Sequence, residues 1–498
     1  MADELLVFAP LRIEAAMLPK RDGWVVLRSG MGPERARIAA ARGLAVEAPA
    51  VAIVGLCAAV SPDLRAGDVV CATELRRDGA MPVAAPGSAL VAAALLRRGM
   101  RVHVGPILSL DHLTSASERR AFHDGVLAVD MESAWLADAA DGRPLAVIRV
   151  VVESVERELR DPRTIAAGIR ALRNLRRVAG ALAEWTQAVG PRTVLLASPR
   201  SFCAGVERAV EIVERALEQR GAPIYVRKQI VHNEHVVTDL ERRGAVFVDE
   251  LDEVPTGATV VFSAHGVSPA VRDAAHDAHL DVIDATCPLV SKVHAEARHF
   301  AADDHTIFLV GHVGHEEVEG TQGEAPDAIR VVQDAGEAER VDARDPSRVS
   351  FLTQTTLAVD ETDEVVAALR KRFPQLRGPK TDDICYATTN RQQSVRVVAR
   401  EADVVLVVGS KTSSNSLRLV EVARREGTRA YLVDDERDVD VAWLEGARTI
   451  GLTAGASAPQ QLVDRLVESL RGLGRIDVEE RMTTSESVQF NLPREVRT

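Results

Sequence analysis

Three cysteines offer the first readable chemistry: Cys203 in SPRSFCAGVERA, Cys287 in DATCPLVSKVH and Cys385 in DDICYATTNRQ. Each stands where a hydrophobic, strand-like stretch gives way to a helix-like one, among Gly, Pro, Thr and Ser. A lone cysteine in an apolar strand packs as a small hydrophobe. Three at equivalent junctions point instead to ligands. Three thiolates from three segments can hold a 4Fe–4S cluster and leave one iron without a protein ligand, much as catalytic zinc sites keep an open position. The residue types alone also leave a zinc site open. His265, His312, His315, Thr355, Ser413 and Ser457 occupy similar strand ends. The run SSNS, by itself, reads as a helix N-cap.

These residues must be positioned by more than one core, because 498 residues exceed what one core supports and call for two to four domains. Hydrophobic residues at 46% and charged residues at 27% describe an ordinary globular chain. A net charge of −12 argues against a nucleic-acid binder, while leaving room for a local basic pocket. Only five cysteines occur and they are scattered, which fits a reducing compartment better than a disulfide framework. No signal peptide and no membrane span are evident, so a cytoplasmic protein is expected.

The fold class expected is α/β throughout. Strand-like runs LLVFAP, WVVLRSG, VAIVGLCAAV, AGDVVCA and LAVIRVVVES alternate with amphipathic stretches in the first half. A long helix closes it, with Ile165, Ile169, Leu172, Leu175, Val178, Leu182 and Trp185 on one face. Gly190-Pro191 then stops that helix, which places a domain boundary at about 188–193. The second half repeats strand then helix, through TVLLASP, PIYVRKQIV, TVVFSAHG, HTIFLVGH, VSFLTQTT, DVVLVVGS, RAYLVDD and RTIGLTAGAS. Ligands in open α/β folds bind beyond the carboxyl ends of strands, so these ends should line one site. The expected division is 1–188, 193–475 and a polar tail, 476–498, packing on the second domain.

From about Val194 to Leu473 the chain resembles the 4-hydroxy-3-methylbut-2-enyl diphosphate reductase family, through PRSFCAGVERA, GAPIYVRKQIVHN, FSAHGVS, DATCPLVSKVH, GHVGHEEVEGT, LTQTTL, DDICYATTNRQ, VVGSKTSSNS and TAGASAP in family order. The terminal VQFNLPREV resembles the family's closing segment. The resemblance implies three small α/β lobes around a central 4Fe–4S cluster bound by Cys203, Cys287 and Cys385, with the fourth iron taking the substrate's allylic hydroxyl. It implies reductive dehydroxylation to isopentenyl and dimethylallyl diphosphate, the last step of the non-mevalonate isoprenoid pathway, with electrons from ferredoxin or flavodoxin. Glu317 would supply a proton, helped by Thr355. His232, His265, His315, Ser413, Ser414, Asn415 and Ser457 would bind the diphosphate. His312 is left outside the site. The chain departs from the family at Glu316, where proline is usual, which would either loosen this turn or add a competing carboxylate. A redox sensor or electron carrier without substrate is the rival reading; the full set of diphosphate-site residues argues against it.

RSGMGPERA, GLCAAVSPDLRAGDVV and AVDMESAWLA resemble the purine nucleoside phosphorylase and nucleosidase superfamily over about 5–185. That resemblance implies a Gly-rich turn at Gly30-Met31-Gly32, ribose binding by Met131 and Glu132, and water activation by Glu14. Glu153 stands where the superfamily has a purine-protonating Asp, and Cys57 replaces a small residue. The variant resembles most the phosphorylase-like proteins associated with hopanoid synthesis, which implies a nucleosidase acting on an adenosylated lipid precursor. The alternative is a non-catalytic binding or dimerisation module. Cys57 and Cys71 are expected to ligate nothing.

Overall fold

Short runs of buried, branched residues build the sheets, and the loops that leave them carry the polar chemistry. The computed structural model describes residues 4–122, 125–154 and 164–497. It divides into two compact units: 1–194 with 435–450 and 464–479, and 195–434 with 451–463 and 480–498.

The first unit is built on an eight-stranded sheet. Leu5–Phe8 is wholly buried and pairs in parallel with Trp24–Leu27 and Val51–Ala59. Beyond it the sheet curls into a closed ring. Val51–Ala59 pairs with Ala128–Asp130 and Leu145–Glu153. Val69–Arg76 pairs with Val102–Ser109 and Leu145–Glu153, and Val102–Ser109 with Ala128–Asp130. Closure leaves these strands without free edges. The helix Thr164–Gln187 buries Leu175, Val178, Leu182 and Trp185. Ile169, expected on the same face, is 49% exposed, so the buried stripe begins later than the apolar spacing suggests. The Ile165 side chain lies outside the described residues.

Three further sheets follow along the chain. The first orders Ala245–Val248, Ile224–Arg227, Thr259–Phe262 and Asp281–Asp284, all parallel. The second places Thr306–Val310 between Ile329–Val332 and Val349–Thr353. The third orders Arg429–Val433, Val404–Val408, Thr449–Ala454, Arg192–Ser198 and Ile476–Met482. Thr306–Val310, Val349–Thr353 and Val404–Val408 are buried along their whole length, as expected for parallel strands covered on both faces. The fold is therefore α/β, with three lobes after the first unit.

One local reading is corrected. Residues before Cys385 do not form a strand; Gly378, Pro379 and the Asp382-Asp383 pair favour a loop instead. A bridge from Ser350 to Arg377 and a bond from Thr353 N–H to the Asp383 carboxylate (3.0 Å) hold that loop. Within 476–498, Ile476–Met482 is an edge strand, and Val496 is buried with Ile212, Val213 and Val226. Among the described residues no helix is long and apolar enough to cross a membrane.

Candidate active site

Each of the three cysteines caps a helix. Cys203 precedes Ala204–Arg220, Cys287 precedes Pro288–Ala302, and Cys385 precedes Tyr386–Glu401. Helix N-termini present free N–H groups and positive dipole ends, which favour thiolate. The backbone brings these starts together. Cys203 N–H donates to Ala456 C=O, Cys287 N–H to Ala264 C=O, and Cys385 N–H to Thr355 C=O. Each acceptor adjoins or belongs to a predicted site residue, so the thiols and the polar loops are fixed to one another.

Buried arginines lock this arrangement. Arg391, on the helix after Cys385, is fully buried and donates to Ser201 C=O at 2.7 Å and Phe202 C=O at 3.0 Å, holding the loop that carries Cys203. It also pairs with Glu486 of the closing segment at 3.0 Å. Arg208 donates to Ala285 C=O and Thr286 C=O, fixing the turn before Cys287. Gly205 has to be small, since a Cβ there would lie 2.7 Å from Cys287 Sγ and 3.8 Å from Cys203 Sγ.

One cavity collects all three cysteines with Glu317, Thr355, His232, His265, His315, Ser413, Ser414, Asn415 and Ser457. Burial pushes the Cys287 thiol up to about 12 and the Cys385 thiol up to about 11, and neighbouring cysteines push both further the same way. Three thiolates in one cavity are stable together only around positive charge, which a metal centre supplies. Cys385 Sγ also accepts from Thr388 N–H at 3.3 Å.

Glu317 is buried beside the cysteines. Its carboxylate accepts from Thr355 N–H at 2.6 Å and from the Thr355 hydroxyl at 3.0 Å. Burial pushes this carboxyl up to about 7, against the two Thr355 hydrogen bonds that pull it down. It can therefore exchange a proton near neutral pH.

The opposite wall is polar. His232 and His265 stack with ring centres 4.1 Å apart, and His315 meets both edge-on at 5.5 and 5.9 Å. Burial, helped by repulsion from His265, pushes His232 down to about 3 and His315 down to about 4. His315 Nδ1 accepts from Glu317 N–H at 3.2 Å and so orients the helix Glu316–Glu324. Ser413 Oγ accepts from Ser457 Oγ at 3.2 Å and caps the helix Ser414–Arg425 through Ser416 N–H. Both polar atoms of the Asn415 amide, the Ser414 hydroxyl and His232 Nε2 are buried without a hydrogen-bond partner. Buried polar atoms are rarely left so, which points to a polar ligand.

Glu316 does stand as a second carboxylate, and it turns toward His265, with Oε2 3.2 Å from Nδ1. Burial pushes its carboxyl up, but the His265 hydrogen bond and the three imidazoles outweigh this and hold it below the usual range. His312 is outside the cavity lining and lies between Gln354 and Arg418. Tyr386, Thr356 and Phe490 also line the cavity and were not anticipated. Phe490 had a signal, as the one aromatic in an otherwise polar tail.

A second cavity, in the first unit, gathers Glu14, Met31, Cys57, Met131, Glu132 and Glu153. Gly30 and Gly32 have φ of 78° and 90°, which turns Gly32 N–H toward Glu132 Oε1 at 3.3 Å. Glu14 accepts from Leu11 N–H at 2.6 Å and Leu56 N–H at 2.7 Å. Burial raises the carboxyls of both Glu14 and Glu132, and Arg149 opposes it in each. Arg149 is fully buried, 2.7 Å from Asp130 and 3.5 Å from Glu132. The sequence carried its signal, a lone charge inside LAVIRVVVE, which went unread. Glu153 pairs with buried Arg119 at 2.9 Å. Cys57 and Cys71 are buried apart from the other three, and burial raises both thiols.

Comparison with known proteins follows this division. The LytB protein family model matches residues 194–471, and the Phosphorylase superfamily model matches residues 10–184. A 4-hydroxy-3-methylbut-2-enyl diphosphate reductase of Nocardia farcinica is 60% identical over 308 residues, covering 62% of this chain and 92% of that protein. One from Mycobacterium tuberculosis is 57% identical, covering 62% of this chain and 95% of that protein. The solved E-1-hydroxy-2-methyl-but-2-enyl-4-diphosphate reductase of Plasmodium falciparum is 35% identical, with a TM-score of 0.59, and covers 62% of this chain and 97% of that one.

Proposed function

The chain belongs to the LytB protein family, and from that premise we propose that it is a 4-hydroxy-3-methylbut-2-enyl diphosphate reductase with a nucleoside-binding first domain. The observation that carries this reading is the convergence of three helix-start cysteines and the Glu317–Thr355 pair on one cavity. We take 1–188 as the first domain, 193–475 as the reductase and 476–498 as a tail packed upon it.

The donor set fits a 4Fe–4S cluster. Cys203, Cys287 and Cys385 would hold it, and the Gly205 position keeps side-chain atoms out of the space between two of the sulfurs. Such a cluster, when bound, supplies electrons and Lewis acidity, with a ferredoxin- or flavodoxin-type protein as donor.

The chain's own residues do the rest. The reaction adds two electrons and two protons; the allylic C–O bond breaks, oxygen leaves as water and a new C–H bond forms. Hydroxide is a poor leaving group, so a proton must reach that oxygen. Glu317, near 7 in its closed site, holds the proton, and Thr355 Oγ1 passes it between carboxyl and hydroxyl. Ser413, Ser414, Asn415 and the imidazoles of His232, His265 and His315 bind the diphosphate; the unpartnered Asn415 amide and Ser414 hydroxyl are free to donate to its oxygens. Walls from Val206, Val231, Leu289 and Val290 exclude water. The test is anaerobic turnover of the reconstituted full chain with a reduced dye. Both diphosphate products should form, with two electrons consumed per substrate. A fully loaded cluster without product overturns the reading.

In the first domain, Glu132 would accept from the ribose hydroxyls, with Met131 against the sugar and Glu14 beside the water position. The Arg119 pairing favours binding over hydrolysis, because it engages the Glu153 carboxyl, at 2.9 Å, where the superfamily has its proton donor to the leaving base. An adenosylated lipid precursor should therefore bind without rapid release of adenine. Release at an ordinary enzymatic rate would restore the nucleosidase reading.

A further inference from the structure

We propose that His232, His265 and Glu316 form a binding site for a divalent transition cation, separate from the three cysteines. One ligand atom from each of the three lies within 4.8 Å of the other two. Two ligands about 2.1 Å from one ion stand roughly 3 to 4 Å apart, so a shift of less than about 1 Å closes the three on a single cation. Two imidazoles and one carboxylate are the ligand set of open, three-ligand metal sites, which leave positions for a further oxygen ligand.

The surroundings favour coordination over a plain hydrogen bond. His232 Nε2 is buried and has no partner. Its other nitrogen, Nδ1, lies 3.3 Å from Gln229 Oε1, so the ring is held by one nitrogen and the second is left for a ligand. Ligating histidines are oriented in this way by an outer hydrogen bond. Ser263 Oγ stands beside both His265 Nδ1, at 3.4 Å, and Glu316 Oε2, at 3.5 Å, and steadies that pair. The ligands come from two lobes: His232 and His265 follow strands of the first three-lobe sheet, and Glu316 opens the helix after Thr306–Val310. A cation here would join them.

Charge points the same way. A diphosphate entering this wall would meet an added carboxylate, Glu316, directly against His265. A dication between them would reverse that repulsion and offer its open positions to phosphate oxygens. This last step rests on the proposed substrate; the cation site rests on the three side chains and is testable without substrate.

Mn2+ is the probe, because it is a hard ion that takes carboxylate and water oxygens and does not select thiolate. The chelator-treated full chain is titrated with Mn2+ and the free ion is read from its electron paramagnetic resonance signal. One saturable site per chain is expected, weakened roughly a hundredfold in Glu316→Gln and in His265→Gln, and kept in Cys287→Ser. Equal binding in wild type and Glu316→Gln, no saturable site, or loss of the site in Cys287→Ser would each overturn the proposal.

Discussion

Glu317 and Glu132 are both buried glutamates whose carboxyls burial holds above the usual range, yet their neighbours give them different work. Glu317 is met by neutral donors, the amide and hydroxyl of Thr355. Its proton can leave or return without disturbing a fixed charge. Glu132 shares Arg149 with Asp130, and Arg149 sits closer to Asp130. A proton gained or lost there changes the balance of a buried ion network, which costs stability. A raised carboxyl therefore does not by itself mark a catalytic acid; the role proposed for Glu317 rests on the neutral Thr355 donors beside it in the cavity.

That contrast can be broken from either side. The largest effect should come from Cys287→Ser, which removes one ligand from the convergent thiols. Iron content and turnover should both fall to background, while the first cavity keeps its nucleoside affinity. Next, Arg149→Met should leave Asp130 and Glu132 buried without their cation, at a cost of about 3–5 kcal/mol. Chemical denaturation of the full chain checks this, and reductase turnover in the folded variant should be unchanged. Thr355→Val removes one hydrogen bond that lowers the Glu317 carboxyl. It should cut kcat about tenfold and move the alkaline limb of its pH profile upward. The smallest effect is on stability against pH. Glu317 has a folded value of about 7 against 4.5 for the free side chain. Between those values the folded chain binds more protons than the unfolded one, so this group's contribution falls as pH rises through the window. Glu317→Gln should flatten that slope in melting temperatures measured from pH 5 to 8.

Much of the reductase site was legible because its ligands sit in short motifs at strand ends, where residue type and order carry the information. Cys203, Cys287 and Cys385 stood out by residue type and place, whereas Glu317 and Thr355 were singled out through the family resemblance. The turn of Glu316 toward His265 was not legible, since it depends on how two lobes face each other across 51 residues of sequence. Arg149 and the Arg119–Glu153 pair were missed because a buried charge and an exposed one look alike until the sheet closes. The short strand Ala245–Val248 gave no alternation long enough to read. The lead into Cys385 was read as a strand, while turn-forming residues made it a loop.

The comparison rests on Glu317 handing a proton to the leaving hydroxyl, and kcat of Glu317→Gln against wild type, at matched iron and sulfide content, tests this most directly. The amide matches the carboxyl in size but has no proton to give at neutral pH. We expect kcat to drop about 10²–10⁴-fold, with loss of the alkaline limb near pH 7. An unchanged kcat with the same limb would contradict the account and remove Glu317 from the chemistry.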